Sequence, residues 1–197
     1  MPKGIPLTEE EQQRRRKEII DASLHLFLER GFNETSMREI ANAAGVGKST
    51  LYDYFQSKEE ILISYAGGEI QKITEGAREI IGHELGVKQK ISNIMQMHLK
   101  YLVANKNAFL ILSFEAQRLS QESQQRIQTA RHSYQDMLRK LIEEGIQQRE
   151  LRPTDPLLAA RSILSLLSIV VYTTRPTGTP EEMLEEALAI LFQGIQA

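Results

Sequence analysis

Cysteine is absent from the 197-residue sequence, which excludes disulfide bonds, thiolate metal sites and cysteine nucleophiles. A secretory signal is also lacking, because the N-terminus shows no basic segment followed by an apolar one. The most apolar segment, residues 157–173, is a poor membrane span because Arg161 and three serines interrupt it. We therefore expect a protein of a reducing compartment, the cytoplasm, with no membrane as partner.

An excess of positive charge is missing as well. The net charge is −2, and residues 1–64 contain nine basic and eleven acidic side chains. This balance argues against a protein that coats nucleic acid or anionic membranes through bulk charge. The one basic block, Arg14 to Lys17, is consistent with a surface beside phosphates and equally with a solvated helix face. Any affinity for DNA must therefore come from the local placement of side chains.

Apolar residues recur with a helical period in almost every segment, and no segment alternates strictly between apolar and polar residues as a half-buried strand would. Hydrophobic residues make up 41% of the chain, which is ample for a core. We predict an all-α fold of about nine helices. Residues 1–64 form a three-helix helix-turn-helix domain, and residues 65–197 form a second, helical domain.

Helix ends in the first domain are marked by local signals. Gly31 follows the first helix, where a terminating glycine is expected. Ser36 and Glu39 form a capping box that opens a short second helix, and Gly45 ends it. A further box opens the fourth helix at Lys58. Asp155 and Thr179 are the predicted N-caps of helices eight and nine, and each is followed by a proline at the first helical position.

The turn between helices two and three has the layout of a helix-turn-helix. Gly45 allows a tight reversal, and small side chains at Ala41 and Ala44 let the third helix approach closely. Val46 and Leu51 fill the wedge between the two helices. A small helical bundle can contain such a turn without binding DNA, so the layout alone leaves both interpretations open.

The residues within this layout are more specific. They run Thr35-Ser36-Met37-Arg38-Glu39-Ile40-Ala41, then Ala44-Gly45-Val46, Thr50-Leu51-Tyr52, Tyr54-Phe55 and Lys58, with Phe27 to Phe32 upstream. This run resembles the N-terminal signature of the TetR family of repressors over about residues 18–63. Beyond residue 64 the resemblance is one of length and helical architecture.

The resemblance implies a role for each matched position. The residues expected to face base edges are Gly47, Lys48 and Ser49. The residues expected to grip phosphates are Thr50, Tyr52, Tyr54 and Lys58. The resemblance places three more residues near the opposite DNA backbone: Thr35, Ser36 and Arg38. The alternative is that they form a helix cap and a solvated arginine. Tyr54 departs from the family, because many members have histidine there.

Sequence motifs for catalysis or metal binding are poorly matched in this chain. Gly47-Lys48-Ser49-Thr50 looks like the end of a phosphate-binding P-loop, but Asn42 occupies the position of the first glycine and a helix precedes the motif where a strand is required. No two of the four histidines are three or four residues apart, which leaves a zinc site within one helix unsupported. We predict no catalytic activity, no cofactor and no metal.

The second domain is expected, from the resemblance, to bind an effector and to form the dimer. Candidate effector contacts are polar or polarisable residues on apolar faces, for which ordinary core packing is the alternative: Met95, His98, Phe109, Phe114, Gln117, Tyr134, Met137 and Tyr172. They favour a hydrophobic or aromatic ligand. Residues 114–150 resemble regulators of fatty-acid metabolism within the family, and four arginines are candidates for an anionic head group: Arg118, Arg126, Arg131 and Arg139.

Helices eight and nine are the predicted homodimer interface. Serines at positions 162, 165 and 168 allow close packing, and helix nine carries an apolar stripe of Leu184, Leu188, Leu191, Phe192 and Ile195. A twofold dimer implies a palindromic operator in double-stranded DNA. We expect the effector to widen the two DNA-binding heads and to release DNA, with helix four bending at Gly67-Gly68. The alternative function is a helical small-molecule-binding or scaffolding protein without sequence-specific DNA binding.

Overall fold

The computed structural model describes residues 7–195, without the side chain of Ile195. Within these residues the chain forms α-helices, one 3-10 helix and no strand, so the predicted all-α fold class is confirmed. The nine α-helices of this part of the chain are α1 (Glu9–Arg30), α2 (Met37–Ala43), α3 (Lys48–Tyr54), α4 (Lys58–Ile81), α5 (Val87–Ala104), α6 (Lys106–Glu115), α7 (Gln121–Gln147), α8 (Pro156–Tyr172) and α9 (Pro180–Ile195). The 3-10 helix, Ala116–Arg118, follows α6.

The N-terminal unit contains the helix-turn-helix. It comprises the described residues up to Gly67 together with the segment Asn107–Ile127. In this unit α2 packs against both α1 and α3. Its core holds aromatic and aliphatic side chains that are at most 2% exposed: Ile19, Phe27, Ile40, Leu51, Phe55, Ile61 and Leu62. The predicted domain boundary at residue 64 did not include the second segment, and the division of function at that residue stays a prediction.

The C-terminal unit comprises Gly68–Lys106 and the residues from Gln128 onward. In this unit α8 packs on α9, and both contact α5. The buried side chains of this unit are mainly aliphatic, among them Ile91, Ile94, Leu99, Leu138, Ile142, Ile163, Leu167 and Leu184. No helix in residues 7–195 combines the length and apolarity needed to cross a membrane.

Local capping signals form as predicted in both units. The Ser36–Glu39 box is complete, and the Asp155 side chain accepts a hydrogen bond from the Leu158 amide at 2.8 Å. Thr179 and Glu182 likewise exchange hydrogen bonds at the start of α9. The box predicted for α4 is half formed. Ser57 caps the Glu60 amide at 3.2 Å, but the Glu60 carboxylate accepts from the Gln56 amide instead.

Apolar spacing suggests an inward stripe of Ile20, Leu24, Phe27 and Leu28 on α1, and the buried face is shifted by about one residue from it. Buried positions on α1 are Ile19, Ser23, Leu26 and Phe27, whereas Leu28 is 47% exposed. The Ser23 hydroxyl is tolerated in the core because it donates to the Ile19 carbonyl oxygen at 2.7 Å. Arg16, three residues before Ile19 and seven before Ser23, lies on this inward face.

Candidate nucleic-acid interface and effector site

The turn between α2 and α3 is held by backbone geometry. Gly45 has φ +64°, a left-handed conformation that glycine adopts without strain. The Val46 amide then donates to the Ala41 carbonyl at 3.0 Å, which fastens the turn to α2. Two fully buried side chains, Leu51 on α3 and Phe55 just after it, anchor the third helix to the core. The orientation of α3 is therefore set from its inner side.

The outer side of α3 begins with an exposed turn. Gly47, Lys48, Ser49 and Thr50 are all exposed at its N-terminal end. The Lys48 ammonium nitrogen lies 5.9 Å from the centre of the Tyr52 ring, one helical turn away, which favours an outward-extended lysine. A helix that presents short polar side chains and a lysine at its first turn fits the width of a major groove.

The tyrosines of α3 are half-buried. Tyr52 supports Lys48 as described, and the Tyr54 carbonyl accepts a hydrogen bond from the Arg16 guanidinium at 3.1 Å. Their hydroxyl groups remain compatible with the predicted phosphate contacts, which stay a prediction.

The residues expected on the opposite DNA backbone separate into two kinds. Thr35 is 2% exposed, and its hydroxyl donates to the Gly31 carbonyl at 2.8 Å, so its side chain supports the loop before α2. Ser36 is occupied as the cap of α2. Arg38 is exposed on the first turn of α2. The structure thus favours a helix cap for Ser36 and a loop-supporting role for Thr35, and it leaves Arg38 as a surface cation.

Lys58 is used within the protein. Its ammonium nitrogen donates to the backbone carbonyls of Phe32, Asn33 and Thr35 at 2.7, 3.0 and 3.1 Å. The same nitrogen lies 4.7 Å from the centre of the Phe32 ring. All three ammonium protons therefore have acceptors in the loop between α1 and α2. A direct phosphate contact by Lys58, which stays a prediction, would compete with these three hydrogen bonds.

The basic block of α1 is largely neutralised. Arg15 pairs with Glu18 at 3.2 Å, Arg14 lies 3.9 Å from the same carboxylate, and Lys17 pairs with Asp21 at 2.5 Å. These pairs are exposed and contribute little to stability, but they cancel the positive charge of the block.

In the C-terminal unit, His98 and Tyr134 are paired. The Tyr134 hydroxyl lies 3.2 Å from His98 Nδ1, and the rings meet edge to face with centres 5.5 Å apart. Burial lowers the pKa of His98 to about 4 and raises the pKa of Tyr134 above its ordinary value. The imidazole is therefore neutral at physiological pH, and the direction of its hydrogen bond with Tyr134 depends on which ring nitrogen carries the proton. In the tautomer with the proton on Nε2, the tyrosine hydroxyl donates to Nδ1 and Nε2 is a hydrogen-bond donor.

Three other predicted effector contacts belong to the same unit. Met95 is fully buried, whereas Met137 and Tyr172 are half-buried. Burial raises the pKa of Tyr172, and the positive charge of Arg131 partly opposes that rise. The C-terminal unit therefore contains five of the eight predicted contacts.

The remaining three predicted contacts belong to the N-terminal unit. Phe109 is half-buried, Gln117 is exposed, and Phe114 is 69% exposed. Phe114 lines an open groove of about 540 Å³ between α1 and α6, and Arg118 at its rim lies 3.6 Å from Glu115. The structure therefore does not group Phe109, Phe114 and Gln117 with the His98–Tyr134 pair in one unit.

Two family models match the chain. Residues 19–65 match the model described as "Bacterial regulatory proteins, tetR family", and residues 84–195 match "Tetracyclin repressor-like, C-terminal domain". The chain belongs to the TetR family. The match includes the second domain, where the sequence pattern alone showed only a common architecture.

Full-length relatives agree with this membership. The chain is 30% identical to the fatty acid metabolism regulator protein of Bacillus subtilis, over 79% of this chain and 81% of that protein. It is 28% identical to the HTH-type transcriptional repressor KstR2 of Mycobacterium tuberculosis, over 92% of each. The solved structure of the transcriptional regulator FadR from Bacillus subtilis in complex with stearoyl-CoA is similar with a TM-score of 0.80 and 27% identity, over 91% of this chain and 99% of that one.

This TetR-family chain is a ligand-responsive, DNA-binding transcriptional regulator, as the sequence predicted. Which of its residues contact DNA or ligand stays a prediction, and the geometry above narrows the candidates. The exposed first turn of α3 is the strongest part of the DNA site, and the His98–Tyr134 pair is the strongest part of the effector site.

Two sets of contacts in the N-terminal unit were not predicted from the sequence. The first is the inward-facing Arg16. The second links Glu59 to the start of α7, because the Glu59 carboxylate accepts hydrogen bonds from the Ser120 amide at 3.3 Å and the Ser123 hydroxyl at 3.1 Å. Both join residues that are far apart in the chain. Helical spacing places Arg16 on the face of the buried Ile19 and Ser23, whereas no local signal marks Glu59.

Proposed function

We propose that this chain represses transcription as a homodimer bound to a palindromic operator, and that a fatty-acyl derivative, with acyl-coenzyme A as the chemical class, releases it from DNA. It acts by binding alone, without catalysing a reaction. Because a regulator of bacterial transcription works where the chromosome lies, we place it in the cytoplasm.

The observation that carries the DNA-binding proposal is the contrast between the two sides of α3. Its inner side is anchored by Leu51 and Phe55, both 0% exposed, while its first turn, from Lys48 to Thr50, is exposed. A rigidly held helix with an exposed N-terminal turn is what base recognition in the major groove requires. We assign base contacts to Gly47, Lys48 and Ser49 and phosphate contacts to Thr50, Tyr52 and Tyr54.

The dimer proposal rests on the outer faces of α8 and α9. Leu158 and Ile169 on α8 are each 62% exposed, and Ile190 on α9 is 63% exposed. Ser165 and Arg161 lie between the two α8 residues at helical spacing, so one stripe of that helix is exposed along three turns. Large aliphatic side chains in that position are stabilised by a second copy of the same surface.

A fatty-acyl effector suits the chemistry of the C-terminal unit. Met95 and Met137 offer flexible apolar surface, and methionine adapts its shape to a long aliphatic chain. In the tautomer with the proton on Nε2, His98 offers one N–H donor, the hydrogen-bonding partner that a thioester or carboxylate oxygen needs. Relatives of this chain support the choice, since one is a fatty acid metabolism regulator and one solved structure holds stearoyl-CoA.

The signal from effector to DNA is proposed to travel along helices that run from one unit into the other. Helix α4 begins at Lys58 in the N-terminal unit and continues through Gly67 and Gly68 into the C-terminal unit. Helix α7 crosses in the same way at Ile127. The hydrogen bonds of Glu59 tie the start of α7 to the start of α4, so a movement of either helix reaches the other at this point.

The test is a binding experiment on the full-length protein. The preferred duplex is first selected in vitro from random DNA, and its affinity is then measured by fluorescence anisotropy with and without palmitoyl-coenzyme A. We expect a palindromic selected site and at least a tenfold loss of affinity with the ligand, which corresponds to a coupling free energy of about 1.4 kcal/mol. Free coenzyme A is the control and should have no effect.

Three results would contradict parts of the proposal. No preference for any selected duplex over a scrambled one would leave the alternative, a helical ligand-binding or scaffolding protein. A selected site without twofold symmetry would contradict the homodimer. Unchanged operator affinity at saturating palmitoyl-coenzyme A and at saturating free palmitate would exclude the fatty-acyl effector.

A further inference from the structure

Arg16 differs from the other basic residues of α1, because its guanidinium is directed into the N-terminal unit. One terminal nitrogen, Nη1, donates to the Tyr54 carbonyl at 3.1 Å. The other, Nη2, donates to the Ser64 hydroxyl at 2.8 Å. The guanidinium carbon lies 4.2 Å from the centre of the Phe55 ring, which is a cation–π contact.

These three contacts join three helices at one point. Arg16 belongs to α1, Tyr54 is the last residue of α3, Phe55 follows it as the C-terminal cap, and Ser64 lies on α4. The last carbonyls of a helix have no partner within it and carry partial negative charge. A guanidinium at that position therefore satisfies the end of α3 and fixes it to both neighbouring helices.

We infer that Arg16 is a positioning residue that sets the orientation of the recognition helix α3 and so determines the discrimination between DNA sequences. This inference rests on the proposed DNA-binding function. It does not make Arg16 a DNA contact, because both terminal nitrogens already donate to protein groups. The planar fork holds Tyr54 and Ser64 at once while its face stacks on Phe55, and the point charge of lysine cannot reproduce that geometry.

The length of α3 shows why this end of the helix matters. Seven residues span about 10 Å, so a tilt of about 10° at Tyr54 displaces the first turn by about 2 Å. Hydrogen bonds to base edges tolerate only about half an ångström of variation in donor–acceptor distance. Contacts to phosphates are less demanding, because they depend mainly on charge. Loss of the Arg16 contacts should therefore reduce sequence preference more than general affinity for DNA.

The experiment compares full-length variants on two duplexes, the site selected by the wild-type protein and a scrambled site of equal length. The readout is the ratio of the two dissociation constants at one salt concentration. This ratio is independent of the folded fraction, because misfolded protein lowers both apparent affinities equally. Arg16→Lys retains the charge and removes the planar geometry. Arg14→Lys is the matched control, since that side chain is 72% exposed and pairs with the exposed Glu18.

We expect Arg16→Lys to reduce the ratio by about tenfold, the effect of losing one well-placed base contact, with little change in binding to scrambled DNA. The salt dependence of binding should be the same as in the wild type. Arg14→Lys should change the ratio by less than about twofold. Ser64→Ala, which removes one of the two hydrogen bonds and no charge, should give an intermediate loss.

Two outcomes would overturn the inference. If Arg16→Lys behaves as the wild type, while Arg16→Ala weakens both duplexes equally and lowers the salt slope by about one, Arg16 is a phosphate contact. If all variants keep the wild-type ratio and only their melting temperature falls, the contacts serve stability alone. A wild-type protein without sequence preference is a separate result, because it contradicts the proposed function and not the role of Arg16 within it.

Discussion

Acidification should destabilise this protein through His98. Burial lowers the pKa of His98 from its ordinary value of 6.5 to about 4. Between these two values the unfolded chain binds a proton on this residue and the folded chain does not. The free energy of unfolding therefore falls as the pH falls through this interval. In the tautomer in which the Tyr134 hydroxyl donates to Nδ1, a proton on that nitrogen would remove the acceptor and add to the effect.

The magnitude follows from the size of the interval. One pKa unit corresponds to about 1.4 kcal/mol, so lowering the pH to about 5 costs about 2 kcal/mol of unfolding free energy. That pH is a suitable limit, because three carboxylates begin to contribute below it. Bonds to capping threonine or serine lower the pKa of Glu11, Glu39 and Glu182 from 4.5, and their stabilising effect is lost only as the pH falls below that value.

Urea unfolding at several pH values between about 7.5 and 5 measures this effect. The wild type should lose about 2 kcal/mol more than His98→Gln over that range. His25→Gln is the matched control, because the His25 side chain is 73% exposed and near Glu29 only. It should follow the wild-type curve. Equal pH dependence in the wild type and in His98→Gln would refute the argument that His98 is neutral because it is buried.

Further predictions concern the DNA-binding unit and the dimer. Gly45→Ala should lower the free energy of unfolding by about 1 kcal/mol, because φ is +64° at that residue. Gly47→Ala, at φ −66°, should leave the free energy of unfolding nearly unchanged in the same urea experiment. Lys58→Met should cost about 2 kcal/mol by removing three hydrogen bonds from a charged donor, and an unchanged melting curve would contradict that role. Ile169→Glu should shift the protein toward monomer in sedimentation experiments and weaken operator binding, while Val103→Glu on α5, 42% exposed, should do neither. The logarithm of operator affinity should fall with the logarithm of salt concentration at a slope of about −4. A slope near −8 would show about twice as many phosphate contacts as Arg38 and Lys48 of two subunits supply.

Features that depend on neighbours in sequence were predictable. Capping at Ser36 and Asp155, the reversal at Gly45 and the start of α4 at Lys58 all follow from residues within about four positions of each other. The family signature is of the same kind, because the close approach of α2 and α3 needs small and apolar residues at fixed spacing. These local signals sufficed for the fold class and for the location of the helix-turn-helix.

Contacts between distant residues were not predictable in the same way. The Arg16 hydrogen bonds join residues 38 and 48 positions apart, and Lys58 reaches back 23 to 26 positions. Sequence spacing alone treats both as surface cations. For Arg16 a usable signal existed, because it precedes Ile19 by three residues and Ser23 by seven, the spacing of one helix face.

The same contacts explain how a nearly neutral domain can bind DNA. In the described part of residues 7–64, carboxylates lie beside Arg14, Arg15, Lys17 and Arg30, while Arg16 and Lys58 are directed inward. Arg38 and Lys48 are the remaining cations there, and both are exposed. Two such cations per subunit give four in a dimer, which is why we expect a modest salt slope. Non-specific affinity should accordingly be weak, so that discrimination depends on the fixed orientation of α3 and on the simultaneous binding of two half-sites.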